Sequence, residues 1–336
     1  MNFKTIVSLI IFLGVIGTAL ALAIRSDKSL SENGYQNPVD LRCITIAGIG
    51  KEDVLNCKRD PEAFLTKLYN TPPSSKLVFD KGPFGIALRE KLPLIIGSDL
   101  YSKSTILYFD DKLLFDSGSD DSFIYSETPI SPTQSTEYFS YTGQSKVHSI
   151  EEKQFTGLGF SVSNINHIDI SEVSFYNIIS QYRGVIGLDF LIAAKSVCLD
   201  MENGILTPIC PQPADAIGRI VVPNNDLLFM PITYENKHLF ALVDTGASRT
   251  KYLSKSCKKT TKTTGVDAHG NYFTEEGERT YADITIGSAT IRNVLVDCTY
   301  NDSDNPYFIL GATFFKMNIK SIGFDFETNS YSLSVR

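Results

Sequence analysis

The chain has 336 residues, 43% of them apolar, with 21 Phe, 16 Tyr and no Trp. That length holds two domains, each large enough for a core, and the composition suits a β-rich globular protein. A formal net charge of −7 argues against nucleic acid and anionic membrane surfaces as partners. At the N-terminus, Lys4 precedes an uncharged stretch from Thr5 to Ala23 that closes on Ala19-Leu20-Ala21-Leu22-Ala23. Small residues at alternate positions fit a signal-peptidase site, and Gly17 breaks the helix just before it, so 1–23 reads as a signal peptide cleaved after Ala21 or Ala23. The stretch also borders on spanning length, and an uncleaved anchor is the alternative, the one route by which a membrane enters the account. Both readings place the remainder outside the cytoplasm, in a secreted or exported setting: extracellular, periplasmic or endo-lysosomal.

Residues 24–80 read as an accessory region that stays attached. Within them Asp60 is a natural N-cap, Pro61 a first-turn residue, and 62–69 a short helix stopped by Pro72-Pro73. Residues 71–75 then look like a linker. The six cysteines agree with an oxidising compartment. Asn203-Gly204 reads as a hairpin turn that sets Cys198 almost opposite Cys210. Cys43 and Cys57 would close a small N-terminal loop, leaving Cys257 with Cys298; free buried thiols are the alternative.

From 85 to 212 the sequence runs as short alternating strands, such as Thr105-Ile106-Leu107-Tyr108-Phe109. Pro211 to Asn225, with three prolines, reads as a connection, and a second region spans 219–336. Short strands separated by Asn, Gly and Asp turns, with few helical periodicities, predict an all-β architecture of two lobes.

Two cassettes carry the chemistry. Asp116-Ser117-Gly118-Ser119 follows Leu113-Leu114-Phe115, and Asp244-Thr245-Gly246-Ala247-Ser248 follows Ala241-Leu242-Val243. Each reads as a buried strand ending in a tight turn that presents a carboxylate with little bulk around it. One copy is ordinary turn chemistry. Here, however, each copy is followed at near-equal spacing by a glycine turn (Gly143; Gly270), an apolar pair with glycine (Val185-Ile186-Gly187; Ile309-Leu310-Gly311) and an acid-bearing segment (Cys198-Leu199-Asp200; Gly323-Phe324-Asp325). Four landmarks in one order indicate an internal duplication.

The cassette, the later apolar-apolar-Gly and the doubling resemble the pepsin/retropepsin clan of aspartic peptidases, over about 85–336. The lobes look retropepsin-sized, yet both sit on one chain. The resemblance implies a bilobal acid-protease fold with a central cleft, one catalytic aspartate per lobe (Asp116 and Asp244), and an extended polypeptide as substrate. It implies an endopeptidase that works as a monomer with no cofactor, and offers a pro-segment covering the cleft as the alternative reading of 24–80. The scattered His148, His167, His238 and His269, with no Cys-x-x-Cys, predict no metal site. It also implies that Ser117 and Thr245 lock the two loops together, that Gly118 and Gly246 let substrate approach, and that Tyr141, Gly143 and Gly270 mark flaps over the cleft. Asp120 and Asp121 match acids that hold peptide main chain in viral members, with a solvated turn as the alternative. Ser119 is expected to hydrogen-bond the dyad, whereas Ala247 cannot. Two like charges at about 3 Å cannot both ionise comfortably, so the pair shares a proton and activity is expected at mildly acidic pH. The alternative on the same fold is a catalytically weak or inactive binding or inhibitor module.

Overall fold

The computed structural model describes residues 60, 73–80, 92–98, 105–126, 128–139, 145–169, 182–222, 227–266, 272–302 and 306–336. The signal or anchor segment, the Cys43–Cys57 pairing, the helix expected over 62–69, and Tyr141, Gly143 and Gly270 lie outside the described residues.

The first lobe holds β1 (Leu92–Ser98), β2 (Thr105–Phe109), β3 (Leu113–Phe115), β4 (Phe123–Ser126) and β5 (Gln134–Phe139). It continues through β6 (Ser145–Gly157), β7 (Phe160–Asp169), β8 (Gly184–Ile186), helix α1 (Leu188–Ala194), β9 (Ser196–Asp200) and β10 (Ile205–Thr207). Then come β11 (Ala216–Arg219), β12 (Phe229–Tyr234), β13 (Lys237–Val243), β14 (Lys251–Ser254), β15 (Thr261–Val266) and β16 (Tyr272–Ile286). The chain closes with β17 (Ala289–Tyr300), β18 (Tyr307–Leu310), helix α2 (Ala312–Asn318), β19 (Ile319–Asp325) and β20 (Ser330–Val335).

The pairings repeat lobe by lobe. In the first, β3 runs parallel to β8 with Phe115 opposite Ile186; in the second, β13 runs parallel to β18 with Val243 opposite Leu310. Strands β4 and β14 each pair antiparallel with that partner and parallel with a long strand, β7 or β17. The hairpins β5–β6 and β15–β16 close each set, pairing up to Phe139 opposite Ser145 and Val266 opposite Tyr272. Buried parallel pairs explain the unbroken apolar runs at Val185-Ile186 and Phe308-Ile309-Leu310. Strands with one wet face alternate instead, as in β7 and β17.

The lobes are joined by a sheet to which both contribute, in the order β11-β20-β19-β9-β10-β1. At its centre β9 and β19 run antiparallel with Cys198 opposite Gly323, the two segments that the repeat makes equivalent. Their acids repeat a local device. Asp200 Oδ1 accepts the N–H groups of Glu202 and Asn203, and Asp325 Oδ1 those of Glu327 and Thr328, each capping the turn that follows. One continuous apolar core runs through both lobes. This is an all-β, bilobal acid-protease fold built by duplication.

Three sequence expectations change. The connection over 211–225 is not merely a linker, because its strand β11 pairs with β20. The Asn203-Gly204 turn is longer than a two-residue hairpin: Ile205 lies opposite Asp200 and Thr207 opposite Cys198. Cys210 therefore reaches Cys198 from beyond the end of β10, and the disulfide forms, as does Cys257–Cys298. The two helices were not foreseen. Of residues 73–80, expected partly as linker, 78–80 lie along β7, the Asp80 N–H donating to Ser161 O and the Ser163 N–H to Val78 O, while the Ser75 hydroxyl donates to Asp189 O. Phe79 bridges to Val162, its ring packing edge-on against Phe160 and Phe190 at 5.5 and 5.7 Å.

Candidate active site

Each aspartate sits one residue beyond a central buried strand, and the parallel neighbour holds it there. The Asp116 N–H donates to Ile186 O at 3.0 Å, and the Asp244 N–H to Leu310 O at 3.1 Å. The glycine that follows each neighbour strand lets the helix start against the cassette. A Cβ on Gly187 would lie 2.8 Å from both Ser119 O and Asp121 O; on Gly311 it would lie 2.6 Å from Ala247 O and 2.3 Å from Arg249 O. The helices then donate to the loops in the same pattern: Leu188 N–H to Ser119 O and Asp189 N–H to Asp120 O, Ala312 N–H to Ala247 O and Thr313 N–H to Ser248 O.

The two loops interlock. The Ser117 hydroxyl donates to Val243 O at 2.8 Å and accepts the Thr245 N–H at 3.1 Å. The Thr245 hydroxyl donates to Phe115 O at 2.9 Å and accepts the Ser117 N–H at 2.9 Å. Both side chains are 1% exposed, so every polar atom they bury finds a partner in the opposite lobe. Two residue positions that are far apart in sequence thus fix the separation of the two carboxyls.

Those carboxyls meet. The Gly246 N–H crosses the interface to Asp116 Oδ1 at 3.1 Å, beside the Gly118 N–H at 2.9 Å. Asp244 Oδ1 accepts the Ala247 N–H at 2.8 Å, and each carboxyl acts on the pKa of the other. Burial lifts the Asp116 carboxyl above its ordinary range, against the N–H groups of Gly118, Gly246 and Ser119. Burial, followed by the charge of Asp116, pushes Asp244 up to about 7. Asp116 is the better supplied with N–H donors, taking one from each lobe, and a proton taken up there belongs to the pair.

Gly118 and Gly246 have a reason in the folded chain beside the substrate approach expected of them. A Cβ on Gly118 would fall 2.5 Å from Asp244 Cγ, and one on Gly246 2.2 Å from Asp116 Cγ. Each glycine makes room for the opposite carboxyl. Ser119 also departs from expectation: its hydroxyl donates to Asp121 O at 2.8 Å and braces its own turn, leaving only its N–H to act on Asp116. Of the acid pair, Asp120 is exposed and accepts the Asp121 N–H at 3.0 Å; Asp121 lies 4.0 Å from Lys76. In the second lobe Arg249 stands at the Asp121 position, donating to Asp297 at 3.1 Å.

Sequence reading missed Asp189 and Ser122, both buried at the edge of the first cassette. Ser122 directly follows the quoted acid pair, and Asp189 lies two residues past Gly187, but nothing in the sequence joins them.

No family model and no curated protein matches the chain. Among solved structures it is similar to the crystal structure of basic 7S globulin from soybean, at 12% identity over 77% of this chain and 93% of that one, with a TM-score of 0.38. The strand pairing, not this likeness, defines the fold.

Proposed function

We propose that the protein is an aspartic endopeptidase in which Asp116 and Asp244 share one proton and activate water. The observation that carries the reading is the facing carboxyl pair, each acid set against the opposite loop's glycine and held by loops that exchange four bonds between lobes. A purely structural turn needs neither the facing acids nor the glycines that clear space for them. In the proposed reaction Asp116 takes a proton from water as its oxygen attacks the scissile carbonyl carbon, while Asp244 gives its proton to the carbonyl oxygen. The resulting diol collapses as the C–N bond breaks. Asp116 returns its proton to the leaving amine, and one diol hydroxyl reprotonates Asp244, regenerating the pair.

The substrate class that fits is an extended polypeptide, and the disulfides Cys198–Cys210 and Cys257–Cys298 support an exported, oxidising location. Among the described residues no helix is long and apolar enough to cross a membrane. Digestion of a denatured protein at acid pH, with and without pepstatin, tests the assignment. Pepstatin-sensitive cleavage that is lost in Asp116→Asn and in Asp244→Asn is the expected result. A folded wild type that cleaves nothing yet binds peptide would overturn it in favour of a binding module.

A further inference from the structure

The dyad mechanism leaves one buried acid without a role. Asp189, 7% exposed, opens α1 directly behind the first cassette. Its Oδ1 accepts the Ser122 hydroxyl at 2.6 Å and the Phe190 N–H at 2.7 Å, and its Oδ2 accepts the Ser122 N–H at 2.9 Å. The Ser122 hydroxyl in turn accepts the Gly187 N–H at 2.8 Å. A carboxyl in that position costs desolvation, and an apolar residue would fill the space more cheaply. What it gains is a hold on the far end of the loop. Asp116 N–H on Ile186 O pins the start of 116–122, Leu188 N–H on Ser119 O the middle, and Asp189 on Ser122 the end.

The second lobe has the same backbone bonds but a different clamp. Thr250, 3% exposed, stands where Ser122 does, and Thr313, where Asp189 does, donates its hydroxyl to Ser248 O at 2.5 Å. The bidentate carboxyl clamp thus belongs to the lobe whose aspartate takes N–H donors from both lobes. That aspartate depends on a narrow geometry, since its Oδ1 is served by Gly118 from within this loop and Gly246 from across the interface.

We propose that Asp189 and Ser122 are positioning residues that hold the first loop so that the Gly118 and Gly246 N–H groups stay on Asp116. This rests on the peptidase reading for its kinetic consequence but not for its structural one. Slackening the loop draws N–H donors away from a carboxylate, which raises its pKa, and misplaces the reacting group.

The test measures kcat and KM on a peptide, and independently follows the carboxyl carbons of Asp116 and Asp244 by NMR titration of the full chain. Ser122→Ala changes no charge. It is expected to lower kcat about 10- to 100-fold with KM within about twofold, and to move the lower titration step of the pair upward. Ser122→Thr, the residue the second lobe uses, is expected to restore both. Asp189, its carboxyl raised by burial to about 7, is neutral across the lower titration step. Asp189→Asn therefore removes acceptors for the Ser122 N–H and hydroxyl without removing charge there, and is expected to move that step upward as Ser122→Ala does. Should Ser122→Ala not fold, Ser122→Cys, which keeps a weak donor, is read in the same way. A folded Ser122 variant with the titration of the wild type overturns the inference, whatever its activity. A wild type that never cleaves, combined with a shifted titration in Ser122→Ala, sinks the peptidase reading and leaves the clamp standing.

Discussion

At the scale of residues, the site is a problem of fitting two carboxyls into one small space, and the cassettes solve it with absence as much as presence. Gly118→Ala would drive a methyl to 2.5 Å from Asp244 Cγ, so the carboxyls must part. The expected loss in kcat is about 100-fold or more, with circular dichroism unchanged; near-wild-type turnover would mean that the pair does not act as a unit. Ser117→Ala removes the donor to Val243 O and the acceptor for the Thr245 N–H. Stranding those buried groups is expected to cost about 1–3 kcal/mol, read as a lower urea midpoint. Ser117→Thr, the second lobe's choice, should recover most of it. Much of this was legible in sequence, because an acid, a hydroxyl and a glycine recur in one order at two strand ends. What each hydroxyl touches was not. Ser119 and Ser117 look alike in sequence, yet one braces its own turn and the other reaches across the lobes.

At the scale of elements, the duplication was visible as spacing, and the pairing of β3 with β8 and β13 with β18 is its physical form. The short helices were hidden, since Leu188–Ala194 and Ala312–Asn318 have seven residues each, too few for a 3.6-residue period to show. The Asp189–Ser122 contact was hidden for another reason, since 67 positions separate its members. Residues 73–80 give a prediction at this scale. Phe79→Ala takes away a ring that packs on Phe160 and Phe190, and should lower stability by about 1–2 kcal/mol. A chain beginning at residue 85 should show at least that loss and one beginning at 73 should not, with thermal melting as the measurement. Equal melting temperatures for the two would mean that residues 73–80 add nothing to the first lobe.

At the scale of the whole molecule, three buried or partly buried acids have their pKa values raised: Asp116, Asp189 and Asp244, the last two to about 7, each with burial as the largest cause. A raised folded-state pKa contributes stability that is fully present below the unfolded value and is lost as pH rises through the folded one. For Asp189 and Asp244 that window runs from the ordinary carboxyl value of 3.8 to about 7. The melting temperature is therefore expected to fall as pH rises across it, and less steeply in Asp189→Asn. The same shared proton sets the working range, because catalysis needs a pH between the two apparent pKa values of the pair. The most direct measurement is the pH dependence of kcat/KM on one peptide, for the wild type and for Asp116→Asn and Asp244→Asn. A bell with its maximum at about pH 4 to 6, flattened to background in both variants, is the predicted result. A rate that climbs steadily through pH 8, or one that survives either substitution, would contradict a monoprotonated carboxyl pair as the catalyst.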